Sequence, residues 1–266
     1  MHSLLSMQKL LQKYSNRLEL VSIHTPSKLS ISDIIHENRR KRALLYLKKA
    51  IMLAVNTNCK RITFHVFQDV LELGEINKMI CLRSKATAKC VEAVRSLNSL
   101  CNDGATTLCL ENVNTCAHRN CVRYRVFGAS PNDLLQVIKE ANSSFLKLCF
   151  DVAHAQNTCD FLIQNPQINK LFNTDKLTPS IFYDLIRDHV DLIHISDTKG
   201  VIAGKGTDNL PLGKGEINLK KVLSHILTNK PKCPLVLEID ERDVNNAINM
   251  ARSKKFLLHI MSKMKL

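Results

Sequence analysis

The chain has 266 residues, 45% of them hydrophobic, enough to bury a full core in one large α/β domain or two small ones. No apolar run is long enough to span a bilayer, so a membrane-spanning helix is not expected. The ten cysteines form no CxxC pair, and Cys109, Cys149 and Cys233 sit inside apolar runs, which argues against a disulfide framework and for a reducing, cytoplasmic compartment.

The first segment, "MHSLLSMQKLLQKYSNRLEL", sets Lys9, Lys13 and Arg17 among its leucines and reads as an amphipathic helix, not as the apolar stretch of a signal peptide. Next comes "LELVSIHTP", an apolar run that terminates at His24. The basic stretch "ENRRKRALLYLKK" (37–49) follows, with cations spaced around Leu44, Leu45 and Leu47 as on the outer face of a helix. The formal charge of +14 draws polyanions toward the chain, but with no Trp and few aromatics there is little for bases to stack on. A solvated helix face is the plainer reading.

Five more runs share the grammar of the first: "RITFHVF" ending at His65, "TLCLENV" at Glu111, "KLCFDVAHA" at Asp151, "DLIHISD" at His194 and "PLVLEID" at Glu238. Between the runs, helical periodicity covers roughly 38–56, 84–101, 131–142, 178–189 and 218–228. Continuous apolar strands alternating with helices predict a parallel sheet, and right-handed crossovers put all strand C-termini on one side. Six polar endings then converge, as at the mouth of a barrel and unlike the line of ends in an open sheet. There is no GxGxxG and no GxxxxGK[ST], which weakens a dinucleotide or P-loop reading. The expectation is a single domain, residues 1–266, folded as an α/β TIM (β/α)8-type barrel with six clear strands and incomplete at its N-terminus. The stretches 114–131 and 200–217 read as loops over the active face.

Glu111, Asp151, His194 and Glu238 bring three carboxylates and an imidazole to neighbouring strand ends. Three converging anions repel one another unless a cation joins them, so a divalent metal ion is expected; mixed carboxylate and histidine ligation suits Mn²⁺, Mg²⁺, Co²⁺ or Zn²⁺. His24, His65 and His154 are candidates for a second ion or for binding substrate oxygens. Each alone is more often a satisfied rim residue; it is the joint occurrence at six strand ends that carries weight.

In order, "SIHTP", "ITFH", "LCLENV", "CFDVAHA", "LIHISDTKG", "GTDNLPLGKGEINL" and "LVLEID" resemble the motifs of the xylose isomerase-like TIM-barrel superfamily over roughly residues 18–240. That superfamily includes sugar and sugar-phosphate isomerases and epimerases and the endonuclease IV class of apurinic endonucleases (AP endonuclease family 2). The resemblance implies that Glu111, Asp151, His194 and Glu238 are the shared metal ligands and that His154 is the second residue of the Asp-x-x-His motif. It also implies that His24 and His65 match histidines holding an additional zinc in endonuclease IV. One loop departs from the pattern: Asp-x-His-Leu-Pro-Leu-Gly is replaced by Thr207-Asp208-Asn209-Leu210-Pro211-Leu212-Gly213, which lacks the histidine of the nuclease's third zinc site.

The resulting expectation is a metal-dependent isomerase or epimerase of a small sugar or sugar phosphate, with Glu111 and Glu238 exchanging a proton and His154 holding a substrate oxygen. The alternative is an endonuclease IV-like apurinic/apyrimidinic endonuclease, a metal-dependent phosphodiesterase whose partner is DNA. A degenerate barrel kept for binding alone is a third reading. Missing strands would leave a sheet edge that a second copy can cover in a homo-oligomer.

Overall fold

The computed structural model describes residues 9, 13, 19–70, 76–104, 106–115, 124–172, 176–202, 205–229, 231–241 and 245–264. Of the expected N-terminal helix, only Lys9 and Lys13, both helical, and residues 19–20 fall within these residues, and the middle of the excursion after Glu111 lies outside them.

Six strands form one sheet: β1 (Ile23–His24), β2 (Arg61–His65), β3 (Thr107–Glu111), β4 (Leu146–Asp151), β5 (Val190–Ile195) and β6 (Leu235–Leu237). They lie in chain order and every neighbouring pair is parallel. Helices carry the chain back between them: α1 (Glu37–Thr57), α2 (Ile76–Arg95), α3 (Pro131–Ala141), α4 (Val152–Gln164), α5 (Pro179–Ile186) and α6 (Leu219–Thr228), with α7 (Ile248–Lys263) after the last strand. The repeating βα order is the one the apolar runs predicted, and no strand pairs with the outer edge of β1 or β6 among the described residues.

The sheet is curled. In a flat sheet, five strand spacings would hold β1 and β6 roughly 24 Å apart, yet donor atoms of His24 beside β1 and Glu238 beside β6 lie within 4.8 Å of each other. The result is a half-barrel open along one side. Strand alternation divides the side chains as this curvature requires. Leu108, Leu110, Leu148, Phe150, Ile193 and Ile195 face outward into the main core under the helices, all fully or nearly fully buried. Cys109, Cys149 and Leu192 face inward and pack with Val21 and Val236 as a small separate layer inside the barrel. Arg61 and Asp191 pair at its lower end, Nε to Oδ2 at 2.9 Å. A dry floor therefore lies beneath the strand ends.

Several helices begin where short-range chemistry says they should. Ser130 and Asp133 form a reciprocal capping box ahead of Pro131, and Asp133 also pairs with Arg83 of α2 at 2.6 Å. Thr178 caps α5 and Asn218 caps α6 through their side-chain oxygens. The expected helix at 84–101 proves to start earlier, at Ile76, and to stop at Arg95 before a separate short helix, Asn98–Gly104. Two of the longer helices went unread. One is α4, which starts on the residue after β4; the other is α7, of which only Ser253 and Ile260 are buried. Within the excursion after Glu111, Tyr124–Phe127 forms a strand antiparallel to Gln68–Val70, which follows β2, so the two segments make a small sheet at the C-terminal end of the barrel strands.

Candidate metal and proton-transfer site

Register sets the heights of the site residues. His65 is level with Glu111, Glu111 with Cys149, and Asp151 with His194, so the inward residues climb from one strand to the next as in a staggered barrel. Glu111 is fully buried and forms the centre. Its Oε2 lies 2.9 Å from His24 Nε2 and 2.8 Å from His65 Nε2, and its Oε1 lies 2.9 Å from His194 Nδ1. The same His194 Nδ1 lies 2.7 Å from Glu238 Oε2, which has no hydrogen-bond partner.

The donor set has a shortage of protons. Nδ1 of His65 faces the Ser27 carbonyl at 3.3 Å and Nδ1 of His154 faces the Asn112 carbonyl at 2.9 Å; His24 Nδ1 faces the carbonyl of Thr25. A carbonyl can only accept, so the ring proton belongs on Nδ1 in each case, and Nε2 presents a lone pair inward unless the ring is charged. His65 is driven toward the neutral form by burial, against the pull of Glu111, so its Nε2 meets Glu111 Oε2 lone pair to lone pair. A single N–H on His194 likewise cannot serve both Glu111 and Glu238. Asp151 Oδ2 is buried with no partner at all. Lone pairs aimed at a common centre, with orphaned carboxylate oxygens beside them, are what a divalent cation satisfies, and the donors present fit one.

The charge balance follows from the same contacts. Burial raises the Glu111 carboxyl, but the charge on His194, the largest opposing cause, overcomes it and holds the group well below the usual range. Burial and Glu111 raise Glu238, and His194 reverses the effect to leave it below its ordinary value. Burial opposes charge on His194, while Cys149 and Glu111 favour it, raising it well above its ordinary value; because burial also pushes the Cys149 thiol far up and keeps it neutral, Glu111 supplies the pull. Asp151, desolvated and only partly relieved by His154, is pushed up to about 7. His154 is raised to about 10, with Asp151, Asp208 and Glu111 outweighing burial.

All the residues singled out in the sequence meet at this mouth, but not in one ring. His24, Glu111, His194 and Glu238 form one group of donor atoms within 4.8 Å, and His65, Glu111 and His154 form another that shares Glu111. Asp151 belongs to neither group. Its Oδ1 accepts the His154 amide at 2.6 Å and caps α4, while Asn112 brackets its backbone, accepting from Asp151 N at 2.7 Å and donating to Asp151 O at 3.0 Å.

The structure adds residues that the sequence reading left open. Asp208 Oδ2 lies 3.6 Å from His154 Nε2 and accepts from Asn114 Nδ2 at 2.8 Å, so the displaced aspartate of the divergent loop does reach the site. Asn209 adopts a left-handed backbone (φ 56°) and lies 3.5 Å from the Ser196 hydroxyl, away from His154. Asp197 holds this loop by accepting from the amides of Thr198, Gly213 and Ile217. Gly215 is required there, since a Cβ would come within 2.2 Å of Asp197 Oδ1 and 2.3 Å of the Thr198 carbonyl.

A half-barrel of parallel strands of this kind has known counterparts. The chain superposes on a D-tagatose 3-epimerase-like protein with a TM-score of 0.72 at 18% identity, covering 99% of this chain and 85% of that one. It superposes on a xylose isomerase domain protein from Planctomyces limnophilus at 0.66 and 14%, covering 97% and 84%. A Thermus thermophilus protein soaked with zinc chloride matches at 0.63 and 21%, covering 98% and 85%. At such identities the likeness is one of fold. No curated protein matches the sequence. The family model for xylose isomerase-like TIM barrels, however, matches residues 2–258, nearly the whole length, and with the fold and strand-end residues described above the chain belongs to that family.

Proposed function

We propose that the protein is a divalent-metal-dependent isomerase or epimerase of a small sugar or sugar phosphate. The observation that carries this reading is the pair of carboxylates, Glu111 and Glu238, set on either side of His194 Nδ1 at 2.9 Å and 2.7 Å. Neighbours in fold support it, among them proteins described as L-ribulose 3-epimerase and D-psicose 3-epimerase.

Glu111, Asp151, His194 and Glu238 would hold the ion, with Asp151 contributing its orphaned Oδ2. A bound ion would polarise a substrate carbonyl and its neighbouring hydroxyl and so acidify the carbon between them. Glu238 is the freer base, being partly exposed and without a hydrogen bond at Oε2, and it takes the proton from carbon. Glu111 on the other side would return a proton only after receiving one, and the His194 Nδ1–H, 2.9 Å from its Oε1, is a donor within reach. His154, its Nδ1 fixed on the Asn112 carbonyl, directs Nε2 toward a substrate oxygen, and Asp208 beside it favours the charged, donating form. The dry layer of Cys109, Cys149 and Leu192 keeps water from reaching the site from below.

One observation favours a second reading. His24 and His65 both reach Glu111 Oε2, giving donors for an additional ion, as a metal-dependent phosphodiesterase acting on abasic DNA would need. Against it, Asn209 offers no imidazole to His154 and Asp208. Metal counting joined to an abasic-duplex assay separates the two. About one ion per chain, exchange of a ketose C–H for deuterium and no nicking supports the isomerase; about three ions with nicking supports the nuclease. Protein that binds no Mn²⁺, Co²⁺ or Zn²⁺ defeats both.

A further inference from the structure

Arg125 is a buried cation at this mouth that the proton-transfer reading does not use. It lies on the strand Tyr124–Phe127 above the barrel, with its side chain 15% exposed. Two contacts fix the guanidinium: Nη1 donates to Asn114 Oδ1 at 3.0 Å, and the group sits 4.7 Å above the Phe67 ring. Through Asn114 it is one residue from Asp208, and Asp208 neighbours His154. The guanidinium is thus two side chains away from the histidine that holds the substrate oxygen.

Its bonding is incomplete. Nε is buried and makes no hydrogen bond; its counter-ion is Asp69, whose Oδ1 pairs with it at 3.8 Å, beyond hydrogen-bond reach. A buried charged donor left without a hydrogen bond is costly, and a planar fork held rigid by a ring and an amide is the geometry that matches an oxyanion. Asp69, Asp208 and Glu111 are close enough to favour the charge on Arg125, while Lys28, Lys199 and Lys214, exposed on segments that follow strand C-termini or overhang them, add positive potential at the same end of the barrel.

We propose that Arg125 binds an oxyanion, phosphate or carboxylate, carried by the substrate at the end remote from the reacting carbon. This rests on the isomerase or epimerase reading and narrows its substrate class to acidic sugars. The metal site orients the carbonyl end and Arg125 the charged end, so that together they set the substrate's register over Glu238.

The test uses metal-loaded protein with inorganic phosphate and acetate as probes. The Arg125 Nε–H signal in a nitrogen–proton NMR spectrum, assigned from its loss in Arg125→Lys, is expected to shift on titration with at least one probe. A phosphate response points to a phosphorylated sugar and an acetate response to a sugar acid; either supports the proposal. Arg125→Gln, titrated with the responding probe by isothermal calorimetry because it lacks the reporter signal, is expected to weaken that binding at least tenfold with metal content per chain unchanged. An Nε–H signal indifferent to both probes overturns the proposal, as does wild-type affinity in Arg125→Gln. Deuterium exchange into neutral and phosphorylated ketoses is measured separately. Its absence from all of them sinks the isomerase reading, whereas the probe titrations of the wild type and of Arg125→Gln decide Arg125.

Discussion

Asp151 does two jobs with its two oxygens. Oδ1 caps α4 through the His154 amide, and Oδ2 is buried and unpaired among anions. Substitution separates the roles, because Asn is as good an N-cap as Asp. Asp151→Asn is therefore expected to keep α4 and lose the ion, weakening metal affinity by more than the roughly 10–100-fold that follows removal of an outer partner; metal analysis after dialysis checks this. The pH dependence has a definite sign. In ion-free protein this carboxyl is raised from 3.8 to about 7, so the folded state holds a proton that the unfolded state releases, and ionisation removes stability between about pH 4 and pH 7. Ion-free Asp151→Asn should match the wild type in melting temperature near pH 4 and exceed it by pH 8. Equal curves throughout would show that Asp151 is not desolvated as described. The sequence announced this residue as a polar end to an apolar run, but its capping role was hidden because α4 begins with no intervening loop.

At the scale of elements, the six strands were legible because each is an apolar run broken by one ionisable residue, and inward and outward faces follow from alternation alone. Helices with capping residues and strong amphipathicity, such as α3 and α6, were legible too. α7 was not, since "INMARSKKFLLHIMSK" spreads cations and apolar groups around the helix and buries little. Nor was the pairing of Tyr124–Phe127 with Gln68–Val70, a contact across more than fifty residues that no local pattern encodes. The loop that presents Asp208 depends on contacts of the same non-local kind. Asp197→Ala leaves the amides of Thr198, Gly213 and Ile217 without their acceptor, a loss on the order of 3 kcal/mol. Hydrogen exchange should show residues 207–217 losing protection while β3, β4 and β5 keep theirs. Uniform loss across the sheet would mean that Asp197 supports the whole barrel and not this loop.

For the whole molecule, the open side of the barrel and the crowded mouth pose one problem. Strands β1 and β6 have no partner on their outer edges among the described residues, and what draws these edges together includes the acids and imidazoles of the site as well as Val21 and Val236 of the inner apolar layer. Without a cation, Glu111, Asp151 and Glu238 are neighbouring carboxyls in low-dielectric surroundings, relieved only by histidines that must themselves be charged to help. A bound ion would convert that strain into a cross-link between the first strand and the last. Because it binds the folded arrangement and has no such site in the unfolded chain, its affinity adds to stability, about 2.7 kcal/mol when free ion is a hundredfold above the dissociation constant. For a chain of this size, that corresponds to a rise in melting temperature of roughly 5–10 °C. Calorimetry with and without a chelator should show this difference in the wild type and little of it in Glu238→Gln, which breaks the link at β6. A melting temperature unmoved by chelation, in protein shown to have carried an ion, would mean that the two edges are held together by something other than the site.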